Sequence, residues 1–463
     1  MDFASIRTAY LIGIKGAGMT ALAQVLAARG IRVSGSDIPQ QFYTDQVLRE
    51  AGIPFVEGFA AANVPTDVDL VIHSTAYGAD HVEVVEAHRL GLTVMTYPEA
   101  LAGVFNAGKG IAVCGTHGKS TTTAMLGWVL AEAGMDPTVL VGAAVPQFGG
   151  NARAGRADLV VVEADEYQNK FHALRPYGII LTSIEYDHPD FFSTTDSYVD
   201  AFRAFLRTLP VDGFLVACAD DPTIRAVAGA APCEVVWYGK SRGVPSGLRL
   251  QLFGDHNIQN ALGVLAAAER LEVPRDVALR ALASFQGTRR RFEVVGELEG
   301  VRGQHITVID DYGHHPTEIR VTLTAARERY AGRRILCTFH AHTFTRTIAL
   351  KDQFATAFVS ADRTYVMDIF GSAREQERFS PSREEGEREG VGSIESKNAA
   401  YRITSDLVTA ISTHSPAIAS GSVEQTVDTL LRDVQSGDVV ICMGAGENDR
   451  VARMLVERLR EVQ

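Results

Sequence analysis

Lys119 stands after two glycines and before an unbroken run of hydroxyls, in Gly110-Ile-Ala-Val-Cys-Gly-Thr-His-Gly-Lys-Ser-Thr-Thr-Thr123. An apolar strand that runs into a glycine turn lets the backbone curl around an anion with its N–H groups pointing inward. A lysine at the following helix start adds a cation for β- and γ-phosphates, and the next hydroxyl can hold Mg²⁺. The helix N-terminus adds a favourable dipole. Gly115, Thr116, His117, Gly118, Lys119, Ser120 and Thr121 are therefore candidate ATP-binding residues. The spacing departs from the common phosphate-loop pattern, because position 113 is Val and the glycines are Gly115 and Gly118. An ordinary strand–turn–helix would explain the glycines, but not a lysine followed by four hydroxyl residues.

Two acidic clusters follow apolar runs further on. Leu159-Val-Val-Val-Glu163 continues into Asp165 and Glu166, and Gly178-Ile-Ile-Leu-Thr-Ser183 continues into Glu185, Asp187, His188 and Asp190. Open α/β sheets bind ligands at the carboxyl ends of their strands, which is where both clusters fall. Surface acids carried for solubility remain an alternative, above all for Glu185 and Asp190. Other polar groups stand at similar junctions. They are His256, Asn257 and Asn260 at a helix start, the Arg289-Arg290-Arg291 joint, Asp310-Asp-Tyr-Gly-His-His-Pro316, and His342-Thr-Phe-Thr-Arg346. Paired histidines can bind metal, but with Pro316 after them they read better as a substrate-facing turn. Near the N-terminus, Gly13-Ile-Lys-Gly-Ala-Gly-Met19 follows an apolar strand, and Ser36-Asp37 follows the next one. This is a Rossmann-style nucleotide turn with its glycines in the order GxxGxG. Asp37 sits where a ribose-binding acid would sit in an NAD enzyme, so an NAD-dependent dehydrogenase is one alternative. It would leave the Lys119 loop and the acids without a use. A nucleotide-binding regulatory protein would need a broken site, and none of these motifs is broken.

Strands alternating with helical patterns must position these groups, which implies parallel sheets built from βαβ units. The pattern predicts helices over 19–29, 119–133 and 317–329, and a polar Glu/Arg-rich loop over about 371–392. The fold class expected is α/β, with three domains of mainly parallel sheet flanked by helices. These are Rossmann-like over 1–107, a phosphate-loop ATPase over 108–288, and Rossmann-like again over 289–463. The length of 463 residues fits about three domains of ~150. A net charge of −12 argues against nucleic acid or an anionic membrane as partner. The five cysteines are scattered without metal-like pairing, as expected of reduced thiols in the cytoplasm. No cationic-then-apolar leader opens the chain, and no apolar run approaches the ~18 residues of a spanning helix. A cytoplasmic protein is expected.

Taken together, the motifs resemble the Mur ligase superfamily over essentially the whole chain. They comprise the Gly13–Met19 and Gly115–Thr123 loops, Glu163-Ala-Asp-Glu166, Glu185-Tyr-Asp-His188, His256-Asn257 with Asn260, Arg290-Arg-Phe292, Asp310–Pro316, the His342–Arg346 segment and Gly444-Ala-Gly446. The resemblance implies ATP-driven amide formation. The carboxylate of UDP-N-acetylmuramate attacks the γ-phosphate, and L-alanine then displaces phosphate from the acyl phosphate. A sibling that attaches a recycled tripeptide is the alternative, because Glu163-Ala-Asp-Glu-Tyr167 is similar to it. By the same resemblance Lys119, Glu163, His188, His314 and Arg346 would be catalytic. Ser120, Glu163 and His188 would hold two Mg²⁺ ions. His256, Asn257, Asn260, Arg290 and Asp310 would contact ATP. Gly13, Lys15, Gly16, Ala17, Gly18, Met19, Ser36, Asp37 and Asn151 would hold the UDP-sugar. Tyr312, His314 and Arg346 would hold the amino acid, with Arg346 on its carboxylate. Position 343, Arg or Thr in relatives, is Thr here. Several sister ligases carbamylate a lysine downstream of the Asp-His pair, but no lysine occurs between Lys170 and Lys240. A monomer or homodimer is expected.

Overall fold

The computed structural model describes residues 5–299, 305–369, 371, 375 and 391–461, with the backbone alone for 391–400. The polar loop expected over 371–392 lies largely outside the described residues. Three mainly parallel sheets flanked by helices make up the fold, in agreement with the expected class.

The first sheet has the order Phe55–Glu57, Arg32–Asp37, Thr8–Ile12, Leu70–His73, Val94–Thr96, all parallel. The chain reverses direction across the sheet at Thr8–Ile12, so the loop after that strand lies at a topological switch point, where such sheets bind ligands. The helix Ala17–Ala28 opens directly from this loop.

The second sheet has seven strands, in the order Glu234–Tyr238, Phe214–Cys218, Gly178–Leu181, Lys109–Cys114, Leu159–Glu163, Thr138–Val145, Gly150–Arg153. Its central strands are continuous apolar runs, and Ile111–Cys114, Ile179–Leu181 and Phe214–Ala217 have no exposed surface. That is the pattern of strands covered on both faces. Lys109–Cys114 lies between the two strands that end in acids. The phosphate loop, Glu163 and Glu185 therefore lie at or just after the carboxyl ends of adjacent parallel strands. Only the terminal strand Gly150–Arg153 is antiparallel.

The third sheet has the order Glu293–Glu299, His305–Asp311, Val439–Gly444, Ile335–His340, Arg363–Met367, Ala417–Gly421. Its first strand is antiparallel, with a register shift between Val294 and Gly296. The core on one face centres on Leu323, Phe339, Phe354 and Phe358, and that on the other on Leu336, Tyr365, Val427 and Leu455.

The chain forms two compact units. The first holds the two N-terminal sheets and runs through Tyr186, with Thr194–Gln251 and His256–Arg289. The second holds Asp187–Ser193, Leu252–Asp255 and the chain from Arg290 onward.

Candidate functional site

In the first unit, the helix Lys119–Glu132 begins at Gly118, whose φ of +79° is left-handed. A Cβ there would also lie 2.5 Å from Asn260 Oδ1, so glycine is required on two counts. The loop is strapped to the neighbouring strand end. Thr116 N donates to Ser183 O at 2.9 Å, His117 N donates to Ser183 Oγ at 2.9 Å, and Thr182 Oγ1 donates to His117 O at 2.6 Å. His117 Nε2 meets Glu185 Oε2 at 2.9 Å.

The Lys119 ammonium curls back over its own loop. It donates to Gly115 O at 2.6 Å and Thr116 O at 3.1 Å, and pairs with both Glu166 oxygens at 3.2 and 3.0 Å. Burial alone would lower its pKa, but Glu166, Asp165 and Glu163 together raise it, so the charge is secure at any working pH. A solvent-facing lysine would be the simple expectation for a loop. The side chain is instead only 15% exposed, because Glu166, itself 1% exposed, holds it. Glu166 also accepts from Tyr198 Oη at 3.1 Å, and Tyr198 Oη reaches Thr116 Oγ1 at 2.8 Å.

Ser120 Oγ donates to Glu163 Oε1 at 2.9 Å, and the other Glu163 oxygen accepts from Gly142 N at 2.7 Å. A hydroxyl and a carboxylate side by side form a hard oxygen set of the kind Mg²⁺ prefers. His188, the third expected metal ligand, belongs to the second unit. Thr121 is buried in the helix's first turn. Asn257 Nδ2 lies 3.1 Å from His256 Nε2 and Asn257 Oδ1 accepts from Asn260 Nδ2 at 3.4 Å, so these three form one polar strip.

At the first sheet, Gly13 turns with φ +82° and donates to Ser36 O at 2.9 Å, and Gly16 caps the helix Ala17–Ala28. Ser36 Oγ donates to the fully buried Glu83, which also accepts from Asn63 Nδ2 at 2.8 Å. Asp37 accepts from Lys15 N at 2.7 Å and from Ile38 N at 2.8 Å. Lys15 does not offer its ammonium to the loop's mouth. That group is spent on Asp45 and Glu57 and on the carbonyls of Ile38 and Gln40, at 3.0–3.1 Å. Met19 is buried in the core. Asn151 reaches this region from the second sheet. Its Nδ2 donates to Tyr43 Oη at 2.9 Å, while its Oδ1 is buried without a partner among the described residues.

In the second unit, Asp187 and Arg346 form a bidentate ion pair, Nε to Oδ1 at 2.7 Å and Nη2 to Oδ2 at 3.3 Å. Burial opposes Asp187's charge, but Arg346 and His188 outweigh it and hold the carboxyl well below its usual range. The pair was not legible locally, since 159 residues separate the partners. Arg346 Nη1 donates to His342 O at 3.2 Å, which leaves an Nη2–H unclaimed by these partners. His314 and His342 stand nearby, their rings 6.2 Å apart. Burial and then Arg346 push His314 down to about 3, and the same causes push His342 well below its normal value. Both imidazoles are neutral at pH 7. His314 Nδ1 lies 3.1 Å from Tyr312 O. His315 is the N-cap of the helix Pro316–Arg329 in a capping box with Glu318. His188 adopts φ +56°, and Thr343, at φ +69°, caps the helix Phe344–Ala349.

Arg290 is tied down by its own unit. Its Nε lies 3.2 Å from Asp310 Oδ2, Nη2 donates to Gly444 O at 3.0 Å, and the guanidinium lies 5.1 Å from the Tyr312 ring. Burial raises the Asp310 carboxyl to about 7 against the pull of Arg290, and its Oδ1 has no partner among the described residues.

Three family models match the chain in order: "Mur ligase family, catalytic domain" over 8–109, "Mur ligase middle domain" over 113–246, and "Mur ligase, glutamate ligase domain" over 290–446. A UDP-N-acetylmuramate--L-alanine ligase of Desulfitobacterium hafniense is 37% identical, covering 96% of this chain and 99% of that protein. One of Rubrobacter xylanophilus is also 37% identical, covering 97% and 99%. The crystal structure of the UDP-N-acetylmuramate-alanine ligase of Thermotoga maritima superposes with a TM-score of 0.77 at 26% identity, over 98% of this chain and all of that one.

Proposed function

The chain belongs to the Mur ligase family, and we propose that it joins L-alanine to the carboxylate of UDP-N-acetylmuramate with conversion of ATP to ADP and phosphate. The observation that carries this reading is likeness along nearly the whole chain to alanine-adding ligases at 34–37% identity. The geometry of each unit supports it. A carboxylate and a triphosphate repel at contact, so cations must offset the charge. Lys119 supplies one from a protonated, pre-positioned side chain. Mg²⁺ fits the Ser120–Glu163 oxygen pair and, when bound, would neutralise the phosphates further, with His188 kept as a proposed ligand on the family resemblance alone. The number of ions is part of this proposal.

The substrate carboxylate attacks the γ-phosphorus, the bond to the ADP oxygen breaks, and an acyl phosphate forms. The alanine amine, once deprotonated, attacks the acyl carbon and phosphate leaves. Arg346 holds the alanine carboxylate through the donor that Asp187 leaves over. The neutral His314 and His342 offer acceptors and add no competing cation, and Tyr312 limits the space for a side chain. Asn257, with His256 and Asn260, meets adenine, and Arg290 and Asp310 line the nucleotide side of the second unit. Gly13, Gly16, Ala17 and Gly18 cradle the UDP diphosphate, with Ser36, Asp37 and Asn151 beside it. Lys15 and Met19 support that loop from behind.

We assign the domains as 1–107 for the UDP-sugar, 108–288 for ATP and 289–463 for the amino acid. The protein is proposed to act in the cytoplasm as a monomer or homodimer on these small molecules. Among the described residues, no helix is long and apolar enough to cross a membrane.

The deciding measurement is ADP release with UDP-N-acetylmuramate, ATP and a panel of L-alanine, glycine, L-serine and the stem tripeptide. Alanine is expected to give the highest kcat/KM. The sequence Glu163-Ala-Asp-Glu-Tyr167 favours the tripeptide-adding sibling as second reading, and faster turnover of tripeptide than of alanine would establish it.

A further inference from the structure

Gly18 has an ordinary helical backbone, so its conformation does not explain the glycine. Its surroundings do. A Cβ at this position would lie 2.6 Å from Tyr97 Oη and 2.7 Å from Tyr97 Cζ. The Tyr97 phenol thus rests on the first turn of the helix Ala17–Ala28.

Tyr97 is rigidly presented. It opens the helix Tyr97–Phe105, whose cap is fixed by Thr96 N and Oγ1 donating to Glu99 Oε2 at 2.8 and 2.7 Å. Pro98 stiffens the same turn. Ala100, Leu101, Val104 and Phe105 anchor the helix in the core. Yet the Tyr97 hydroxyl has no hydrogen-bond partner among the described residues. Its other neighbours are electrostatic: burial first, then Asp165 and Glu163 at the end of the strand Leu159–Glu163, raise its pKa. The phenol is therefore a neutral donor between the N-terminal loop and the acids of the second sheet. Tyr97 is only partly buried, so its unpartnered hydroxyl is open to a ligand.

We propose that Tyr97 Oη donates a hydrogen bond to the diphosphate of the UDP-sugar, completing the cradle formed by Gly16, Ala17 and Gly18. Gly18 is then glycine to make room for the tyrosine. The inference rests on the reading of this loop as a diphosphate site. It adds a binding residue contributed from about eighty positions along the chain.

The test is UDP binding by calorimetry to the full chain, wild type and Tyr97→Phe, with uridine as the phosphate-free control. Phe keeps the ring against Gly18 and removes only the donor. A hydrogen bond to a charged group leads us to expect a Kd for UDP about tenfold or more higher. Uridine binding should be unchanged. The KM for UDP-N-acetylmuramate should rise in parallel, with the ATP KM unmoved. Gly18→Ala should weaken UDP binding in the wild-type background and add little in a Tyr97→Ala background, where the space is open. A folded Tyr97→Phe variant that binds UDP as tightly as wild type overturns the inference and leaves the ligase reading intact. A wild-type protein that does not bind UDP at all overturns the diphosphate reading of the loop, and this inference with it.

Discussion

Replacing Lys119 by alanine should do two separable things. The ammonium sits 3.0 Å from a carboxylate that is 1% exposed. At an effective dielectric of 20, such a pair attracts by roughly 5 kcal/mol before desolvation is charged against it. Breaking a buried pair from one side costs about 3–5 kcal/mol, since the abandoned charge stays buried. Tyr198 still donates to Glu166 at 3.1 Å, which places the expected loss near the lower end, about 3 kcal/mol. Removing a cation that strengthens its contact during phosphoryl transfer should also slow turnover by about a hundredfold or more. Glu166→Gln in the same chain removes the stranded charge. In urea unfolding, Lys119→Ala/Glu166→Gln should recover most of the lost stability, while ADP release stays as low as in Lys119→Ala. If the double variant regained near-normal turnover, Lys119 would be a structural partner of Glu166 and not a catalytic cation. If Lys119→Ala cost no stability, the pairing itself would be wrong.

The other expectations are narrower. Glu163→Gln and His188→Ala should each raise the Mg²⁺ concentration that half-saturates activity; an unchanged Mg²⁺ curve with a shifted pH profile would instead assign them to proton transfer. Arg346→Lys should raise the alanine KM at least tenfold with the ATP KM nearly constant, because a point charge cannot serve Asp187 and a substrate carboxylate together; equal changes in both KM values would count against amino-acid binding. Asp310 has a folded-state pKa raised from 3.8 to about 7, so ionising it opposes folding. The penalty is full above pH 7, fades as pH falls from 7 toward 4, and amounts to no more than on the order of 4 kcal/mol. The stability gap between wild type and Asp310→Asn, followed by thermal melts, should therefore change across pH 4–7 and be flat above 8. Activity should be indifferent to added bicarbonate. In the region where the resemblance would put such a lysine, the helix Thr195–Leu206, Phe202 and Phe205 pack on Phe171 at 5.5 and 4.4 Å and Arg203 pairs with Asp200 at 2.6 Å. Bicarbonate stimulation would refute that reading.

The loops were legible in the sequence because glycine, lysine and hydroxyls act over a few residues and leave a local signature. The central strands were legible for a related reason: burial on both faces makes them unbroken apolar runs. The edge strands Gly150–Arg153 and Glu293–Glu299 carry no such mark. One is four residues long, the other is bulged and half polar, and only their pairing with a neighbour defines them. The roles of charged groups were harder still to read. Lys15 sits inside a ligand-binding turn, yet the strand Phe55–Glu57 and the helix Tyr43–Glu50 bring Glu57 and Asp45 to its ammonium, so it supports the loop. Asp187 reads as one acid among several, and it becomes the partner of Arg346 only when 159 intervening residues have folded. The difference is physical. Conformational preference is a property of a short stretch of chain, whereas the partner of a buried charge is set by topology. A motif can therefore name the loop that binds phosphate, but which cation in that loop remains available to phosphate depends on where the carboxylates of distant elements come to rest.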